Sequence, residues 1–260
     1  MKHWVCQQGS AEWCRARMGK ATASEFSRII QPKKWEPTKG ETRRGYAIYL
    51  LTELILDEPL AGVTTASLSH GHAWEENARA AYEMLIGKEV ELCGFYTNDE
   101  MTYGASPDGR VTGEPRGVEI KCPMKPEIHV SYLMDNDLLV EEYFTQTQGE
   151  LFVTQWESID LISYHSAFPM VKVRVLPHPE FQPKLEMAVR SFCAEFSDLV
   201  HRAVDLGYLK ETPPTTDWIQ AGDVDWIRKD RQGRKSQAGD FDITDADVER
   251  IWAKSQEGAT

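Results

Sequence analysis

An aspartate, a glutamate and a lysine stand out by type and spacing: Ser106-Pro107-Asp108-Gly109, then a hairpin, then Glu119-Ile120-Lys121. Strand side chains alternate faces, so Glu119 and Lys121 point one way and Ile120 points into the core. Asp108 sits where one strand of the hairpin begins, which can bring its carboxylate beside Glu119. Two carboxylates that close repel unless a cation separates them. A hard divalent ion with oxygen ligands, Mg²⁺ or Mn²⁺, is the natural occupant. The backbone carbonyl of Ile120 is a further candidate ligand. Lys121 would stand near the attacking water, able to orient it or to stabilise negative charge on a phosphate. That arrangement suits hydrolysis of a phosphodiester. Spacing alone leaves a plainer reading open, since Glu-x-Lys also describes a solvated strand face and Asp-Gly a common turn.

Elements of both kinds must position these residues. Thr22 followed by Glu25 reads as a capping box that opens a short helix through Ile30. After a polar loop (Gln31 to Glu41), a second helix is expected from Thr42 to Asp57, with Tyr46, Leu50, Leu51 and Leu54 on one face. A third, Gly71 to Ile86, places Trp74, Ala78, Ala81, Tyr82 and Leu85 at helical spacing. Strands follow at Val90–Thr97, Thr102–Ser106, Gly109–Thr112 and Val118–Cys122. A helix near Glu141–Thr154, strands near Ile159–Tyr164 and Val171–Val175, and an amphipathic helix from Phe181 to Val204 complete the pattern. The expected class is α/β, a small mixed sheet flanked by helices. Residues 1–210 read as one domain and 211–260 as an extension, which carries Trp218, Trp226 and Trp252.

The bulk numbers exclude some classes and leave others open. A chain of 260 residues with 41% hydrophobic residues can build a sizeable core. No run of eighteen apolar residues occurs, and the N-terminus soon turns polar, so neither a membrane span nor a signal peptide is expected. Five scattered cysteines point to reduced thiols in a cytoplasm. A net charge of −12 taken alone argues against nucleic acid. The charge is uneven, however. Lys33, Lys34, Lys39, Arg43 and Arg44 crowd one segment, and Arg228, Lys229, Arg231, Arg234 and Lys235 another. Either cluster could line a DNA path or be an ordinary solvated loop.

Two further sets of residues bear on the site. Glu75 adjoins Trp74 on the third helix, where a surface carboxylate is the alternative. Tyr143 and Gln146 fall one helical turn apart on a common face, where polar groups can hold a water or a phosphate oxygen.

Four blocks in register resemble the phage lambda exonuclease and YqaJ-type viral recombinase family, of the PD-(D/E)XK nuclease superfamily. They are Gln8-Gly9-Ser10-Ala11-Glu12-Trp13 to Arg17-Met18-Gly19 with Thr22-Ala23-Ser24; the Gly71–Arg79 helix; Ser106-Pro107-Asp108-Gly109 with Glu119-Ile120-Lys121-Cys122-Pro123; and Tyr143-x-x-Gln146-x-Gln148. The resemblance spans roughly residues 7 to 205. It implies a restriction-endonuclease-like core in which Asp108 and Glu119 hold catalytic metal, Lys121 assists the nucleophilic water, Glu75 adds a further acid, and Gln146 is the active-site glutamine. It also implies that Arg17 and Ser24 bind the 5′-phosphate of the digested strand, which fits a guanidinium and a serine at a helix start. Leu68 matches a wedge between terminal bases, and Arg43 and Arg44 are assigned to DNA contact.

The activity so implied is Mg²⁺-dependent 5′-to-3′ digestion of duplex DNA from a phosphorylated end, leaving a 3′ single strand for recombination by annealing. Ca²⁺ is expected to bind without turnover. The implied partners are duplex DNA, two further copies in a ring-shaped homotrimer, and a single-strand annealing protein. A ring would let basic loops line a channel while the outside stays acidic. Three competing readings are weighed. An endonuclease would share the carboxylates but has no use for the end-binding block. An iron–sulfur nuclease needs closely spaced C-terminal cysteines, whereas only Cys193 lies beyond residue 122. A non-catalytic end-binding protein would be expected to lack a carboxylate or the lysine.

Overall fold

The strand carrying Glu119 and Lys121 is the middle one of five in a mixed sheet. This computed structural model describes residues 1–60, 66–210 and 221–222, with only the backbone for 66–73 and 221–222. The first half runs β1 (Lys2–Trp4), α1 (Ala11–Arg17), β2 (Ala21–Thr22), a 3-10 helix (Ala23–Arg28), α2 (Glu41–Leu56), α3 (Ala66–Ile86), β3 (Val90–Glu91), β4 (Phe95–Thr97) and β5 (Tyr103–Ala105). The second half runs β6 (Gly109–Val111), β7 (Arg116–Lys121), α4 (Pro126–Met134), α5 (Asn136–Thr154), β8 (Ser158–Ser163), β9 (Val171–Val175), α6 (Phe181–Asp205) and β10 (Ala221–Gly222). All of these lie in one unit, Met1–Gly222. The tryptophans and basic cluster of the expected extension lie outside the described residues, as does the side chain of Leu68.

Two sheets form where one was expected, both mixed. The first is ordered β10-β1-β4-β5-β2 and the second β3-β6-β7-β8-β9. The run Val90–Thr97 hides the division, because β3 joins the second sheet and β4 the first. Gly94 lies at the changeover, where the chain passes so close to β1 that an added Cβ would stand 2.0 Å from the Trp4 carbonyl oxygen. Only glycine fits there.

β7 pairs antiparallel with β6 and parallel with β8. A parallel pair needs a crossover, and α4 and α5 supply it. On one face of the second sheet, Val118, Ile120 and Ile162 pack with Ala78 and Tyr82 of α3. The other face turns Glu119 and Lys121 toward α5, where they meet Gln146.

α5 shows almost no apolar stripe because residues 147–154 are buried without a break. It is wedged against both sheets and the 3-10 helix. Gly149 permits the approach, since a Cβ there would meet the Phe26 ring at 2.6 Å.

The helices differ from expectation in several places, α3 among them, which begins at Ala66 ahead of the expected Gly71. The short helix expected through Ile30 is present as the 3-10 helix, but its capping box is not: Thr22 makes no side-chain cap, its N–H is taken by the Tyr46 hydroxyl, and Glu25 pairs with Arg28. α1 and α4 went unread, and α5 begins at Asn136, ahead of the expected Glu141. α1 is opened by Ser10, whose side chain accepts the Trp13 N–H, a cap worth about 0.5–2 kcal/mol. α6 behaves as expected, burying Phe181, Leu185, Ala188, Val189 and Phe192.

Candidate active site

β-sheet register brings the two carboxylates together. Gly109 pairs with Val118 and Arg110 with Gly117, so the next step sets Asp108 opposite Glu119. Directly opposed residues share a face, with Cβ atoms roughly 5 Å apart. The Asp108 carboxylate then turns to the strand edge, where its Oδ2 accepts the Ile120 N–H at 2.6 Å. The Lys121 carbonyl accepts from Tyr164 on the β8 side. Ile120, one residue back, therefore directs both N–H and C=O to the opposite edge, beside Asp108.

A tight network surrounds Glu119. Lys121 Nζ donates to Glu119 Oε1 at 2.7 Å and to Gln146 Oε1 at 3.1 Å, and lies 4.3 Å from the Tyr143 ring centroid. Gln146 Nε2 donates to the same Glu119 oxygen at 2.6 Å and to Glu150 Oε1 at 3.0 Å. The second oxygens of Glu119 and Glu150 are buried without a hydrogen-bond partner. Glu150 was not read from the sequence, although its position four residues after Gln146 puts both on one helix face.

Charge is crowded here. Burial first, then Glu119 and Glu75, pushes the Asp108 carboxyl well above the usual carboxylate range. Burial and Glu119 do the same to Glu150. Burial alone would lower the Lys121 ammonium, but Glu119 and Asp108 outweigh it and hold it above its ordinary value.

Asp108, Glu119 and the Ile120 carbonyl are an all-oxygen set suited to a hard divalent ion. The unpartnered Glu119 Oε2 fits that use, because a buried anionic oxygen without a donor is costly unless something positive meets it. Glu75 bears electrostatically on both Asp108 and Cys122. Among the described residues no three His, Cys, Asp or Glu side chains form a metal-holding group. Glu75 lies on α3, which packs on the face of β7 opposite Glu119, and it pairs with Arg79 at 4.0 Å. It contributes charge around the strand end, where Asp108 feels it.

The residues expected to bind the DNA end gather near α1. The Arg17 guanidinium rests 4.2 Å from the Trp13 ring centroid and feels Tyr46 and Glu25. The Tyr46 hydroxyl takes the Thr22 N–H, and Thr22 Oγ1 lies 3.4 Å from Oγ of the exposed Ser24. Trp13 Nε1 donates to Ser106 Oγ at 2.8 Å, and Gln8 Nε2 donates to the Pro107 carbonyl at 2.8 Å. α1 is thereby tied to the loop that delivers Asp108. Arg43 does not join this group. It is buried, bonded through Nε and Nη2 to Glu195 at 3.0 and 2.8 Å, and through Nη1 to the Ile29 carbonyl. Its role is to clamp α2 to α6, not to line a DNA path. Arg44 is exposed.

A mixed α/β core that joins Pro-Asp to Glu-x-Lys at the end of a central strand defines a restriction-endonuclease-like protein. The chain belongs to the YqaJ-like viral recombinase domain family, whose model matches residues 12–157. It is similar to LHK-Exo, an alkaline exonuclease from Laribacter hongkongensis, at 26% identity and a TM-score of 0.66, over 76% of this chain and 98% of that one. One of the two LHK-Exo crystal structures is a complex with dAMP. A phage-related exonuclease from Haemophilus somnus shares the fold at 14% identity and a TM-score of 0.56, over 70% of this chain and 96% of that one. An uncharacterised protein of Acanthamoeba polyphaga mimivirus is 26% identical over 167 residues, which is 60% of this chain. The chain spans 29% of that relative's length. All five cysteines are free, and no helix among the described residues is long and apolar enough to cross a membrane.

Proposed function

We propose that the chain is a Mg²⁺-dependent exonuclease that digests one strand of duplex DNA from a 5′-phosphorylated end, 5′ to 3′, releasing 5′-mononucleotides. The observation that carries this reading is the pairing of Asp108 with Glu119, whose buried Oε2 has no hydrogen-bond donor, beside the Lys121 ammonium. Family membership and the likeness to an alkaline exonuclease support the nuclease assignment. The LHK-Exo complex with dAMP supports mononucleotide release.

Asp108, Glu119 and the Ile120 carbonyl would hold Mg²⁺, with Mn²⁺ as a substitute. The ion would supply Lewis acidity toward the scissile phosphate and activation of the attacking water. Lys121 Nζ is held at the site by Glu119 and Gln146. It acts as a cation aimed at the negative charge that grows on the phosphate oxygens. Lys121 and Gln146 together pin one oxygen of Glu119, which leaves the other to the ion. Glu75 adds negative charge that favours cation binding. Arg17 and Ser24 grip the terminal 5′-phosphate and so set the first scissile bond over the carboxylates. A homotrimeric ring, with a single-strand annealing protein receiving the 3′ tail, completes the proposal and reconciles DNA binding with a net charge of −12.

Digestion of linear duplexes bearing 5′-phosphate or 5′-hydroxyl ends, with and without Mg²⁺, tests it. Rapid Mg²⁺-dependent loss of the phosphorylated strand is expected. No digestion of either end would overturn the assignment.

A further inference from the structure

We infer that Glu150 is a positioning residue for the reaction, holding the Gln146 amide so that its oxygen stays on the Lys121 ammonium. The inference rests on the hydrolytic reading above. Gln146 Nε2 carries two hydrogens and both are used, one on Glu119 Oε1 at 2.6 Å and one on Glu150 Oε1 at 3.0 Å. Its Oε1 accepts from Lys121 Nζ at 3.1 Å. Turned over, the amide would point N–H groups at an ammonium and its oxygen at two carboxyl groups. The three partners thus agree on one orientation.

These three contacts differ in independence. Glu119 Oε1 is shared, because Lys121 donates to it as well, at 2.7 Å. Glu119 must also turn its other oxygen to the cation, so its grip on Gln146 changes whenever the carboxylate rotates. Glu150 interacts with Glu119 as well, but its bond to the amide does not depend on which way the Glu119 carboxylate turns. It projects from the same helix as Gln146, one turn on, and is 1% exposed. Its bond anchors the amide to α5 while Glu119 and Lys121 adjust to the substrate. Positioning of this kind acts on the chemical step more than on DNA affinity.

The price in stability argues the same way. Glu150 Oε2 is buried with no hydrogen-bond partner. An apolar side chain of similar volume removes that unpartnered oxygen but also leaves one Gln146 N–H without its acceptor, whereas Glu150→Gln keeps the acceptor and the packing.

The experiment measures kcat and KM on 5′-phosphorylated linear duplex in Mg²⁺, with the thermal midpoint, for full-length wild type, Glu150→Gln, Glu150→Leu, Gln146→Ala and the Gln146→Ala/Glu150→Leu double variant. Glu150→Gln keeps an acceptor oxygen and should stay within about twofold of wild type, while Glu150→Leu should lose about tenfold in kcat with little change in KM, the effect of one hydrogen bond. The midpoint of Glu150→Leu should stay well above the assay temperature. In the Gln146→Ala background the leucine should cost nothing further, because the amide it positions is gone. Glu150→Met, straight-chained and adaptable, repeats the measurement on a second packing. Full kcat in both apolar variants would overturn the inference. So would a loss of kcat that tracks a fallen midpoint, or an equal loss from the leucine in the Gln146→Ala background. Wild type inert on linear duplex would instead overturn the nuclease reading, and this inference with it.

Discussion

Lys121 places its Nζ 2.7 Å from Oε1 of Glu119, its neighbour but one on the same strand. Strand alternation alone puts the pair on one face, but α5 closes over them and leaves Glu119 with 3% and Lys121 with 20% of its side chain exposed. A pair so enclosed is held by geometry, since neither partner can exchange freely with solvent.

Asp108→Ala, Glu119→Ala and Lys121→Ala should each abolish hydrolysis and leave the fold intact. The three residues meet at one strand end, so each loss removes either the cation's seat or the charge opposite the phosphate. Digestion rates in Mg²⁺, with circular dichroism as the folding control, check this. Near-normal digestion by Asp108→Ala would place the site elsewhere. Brisk cleavage by metal-stripped wild type in Ca²⁺ would also count against it, because Ca²⁺ coordinates more loosely than Mg²⁺.

Without Mg²⁺, the raised Asp108 carboxyl should make the protein less stable as pH rises. An acid whose folded-state pKa lies above its unfolded value of about 3.9 binds more protons folded than unfolded between the two. Stability therefore falls across that interval, by up to about 1.4 kcal/mol per pH unit. Asp108→Asn should unfold at a higher temperature than wild type, by a margin that widens with pH through the interval. Mg²⁺ should raise the midpoint of wild type and not of Asp108→Asn. A margin that stays constant with pH would show that Asp108 is not strained by its surroundings.

Asp160 should matter to folding and little to chemistry. It is wholly buried in β8, bonded to the Tyr82 hydroxyl at 2.6 Å, to Arg116 at 3.1 Å and to Arg174 at 2.8 Å. Burial opposes its charge, but Arg174 and Tyr82 hold its carboxyl below the usual range. Its contribution is present above the unfolded pKa and is lost as pH falls through the lower folded value. Breaking such a cluster costs about 3–5 kcal/mol, with the half-exposed Arg174 drawing the figure toward the low end. Urea unfolding of Asp160→Ala measures it, and a cost under about 1 kcal/mol would mean solvent already screens these pairs.

What was legible in the sequence was local. Strand alternation and a short hairpin sufficed to bring Asp108, Glu119 and Lys121 together, and α6 declared itself by its apolar stripe. The rest depends on distant partners. Arg43 looked like part of a basic cluster, but Glu195, 152 residues away, pulls it inside. The apolar run at Val90–Thr97 carries no mark of its division between two sheets, because both halves are buried strand. α5 hid its buried face by being buried on nearly all sides, and with it the role of Glu150.

The last prediction concerns how an end is chosen. Arg17 sits over the ring of Trp13, whose indole N–H bonds Ser106, two residues before Asp108. A phosphate gripped by this guanidinium would thus be registered to the loop that delivers Asp108 through one ring. The ring contact holds the fork without occupying its donors, which leaves them for bidentate contact with the 5′-phosphate. A charged hydrogen bond is worth roughly 1.5–3 kcal/mol, and 1.36 kcal/mol is a decade in rate. Arg17→Ala should therefore slow digestion of 5′-phosphorylated duplex by about ten- to a hundredfold. A 5′-hydroxyl end, which never makes the full contact, should lose less. Initial rates of wild type and variant on the two ends decide the matter. Equal fold-losses would show that Arg17 acts through folding or general DNA affinity. A closed circular duplex is the companion control because it offers no end. Its sustained degradation by pure protein would sink the exonuclease proposal and favour internal cutting by the same carboxylates.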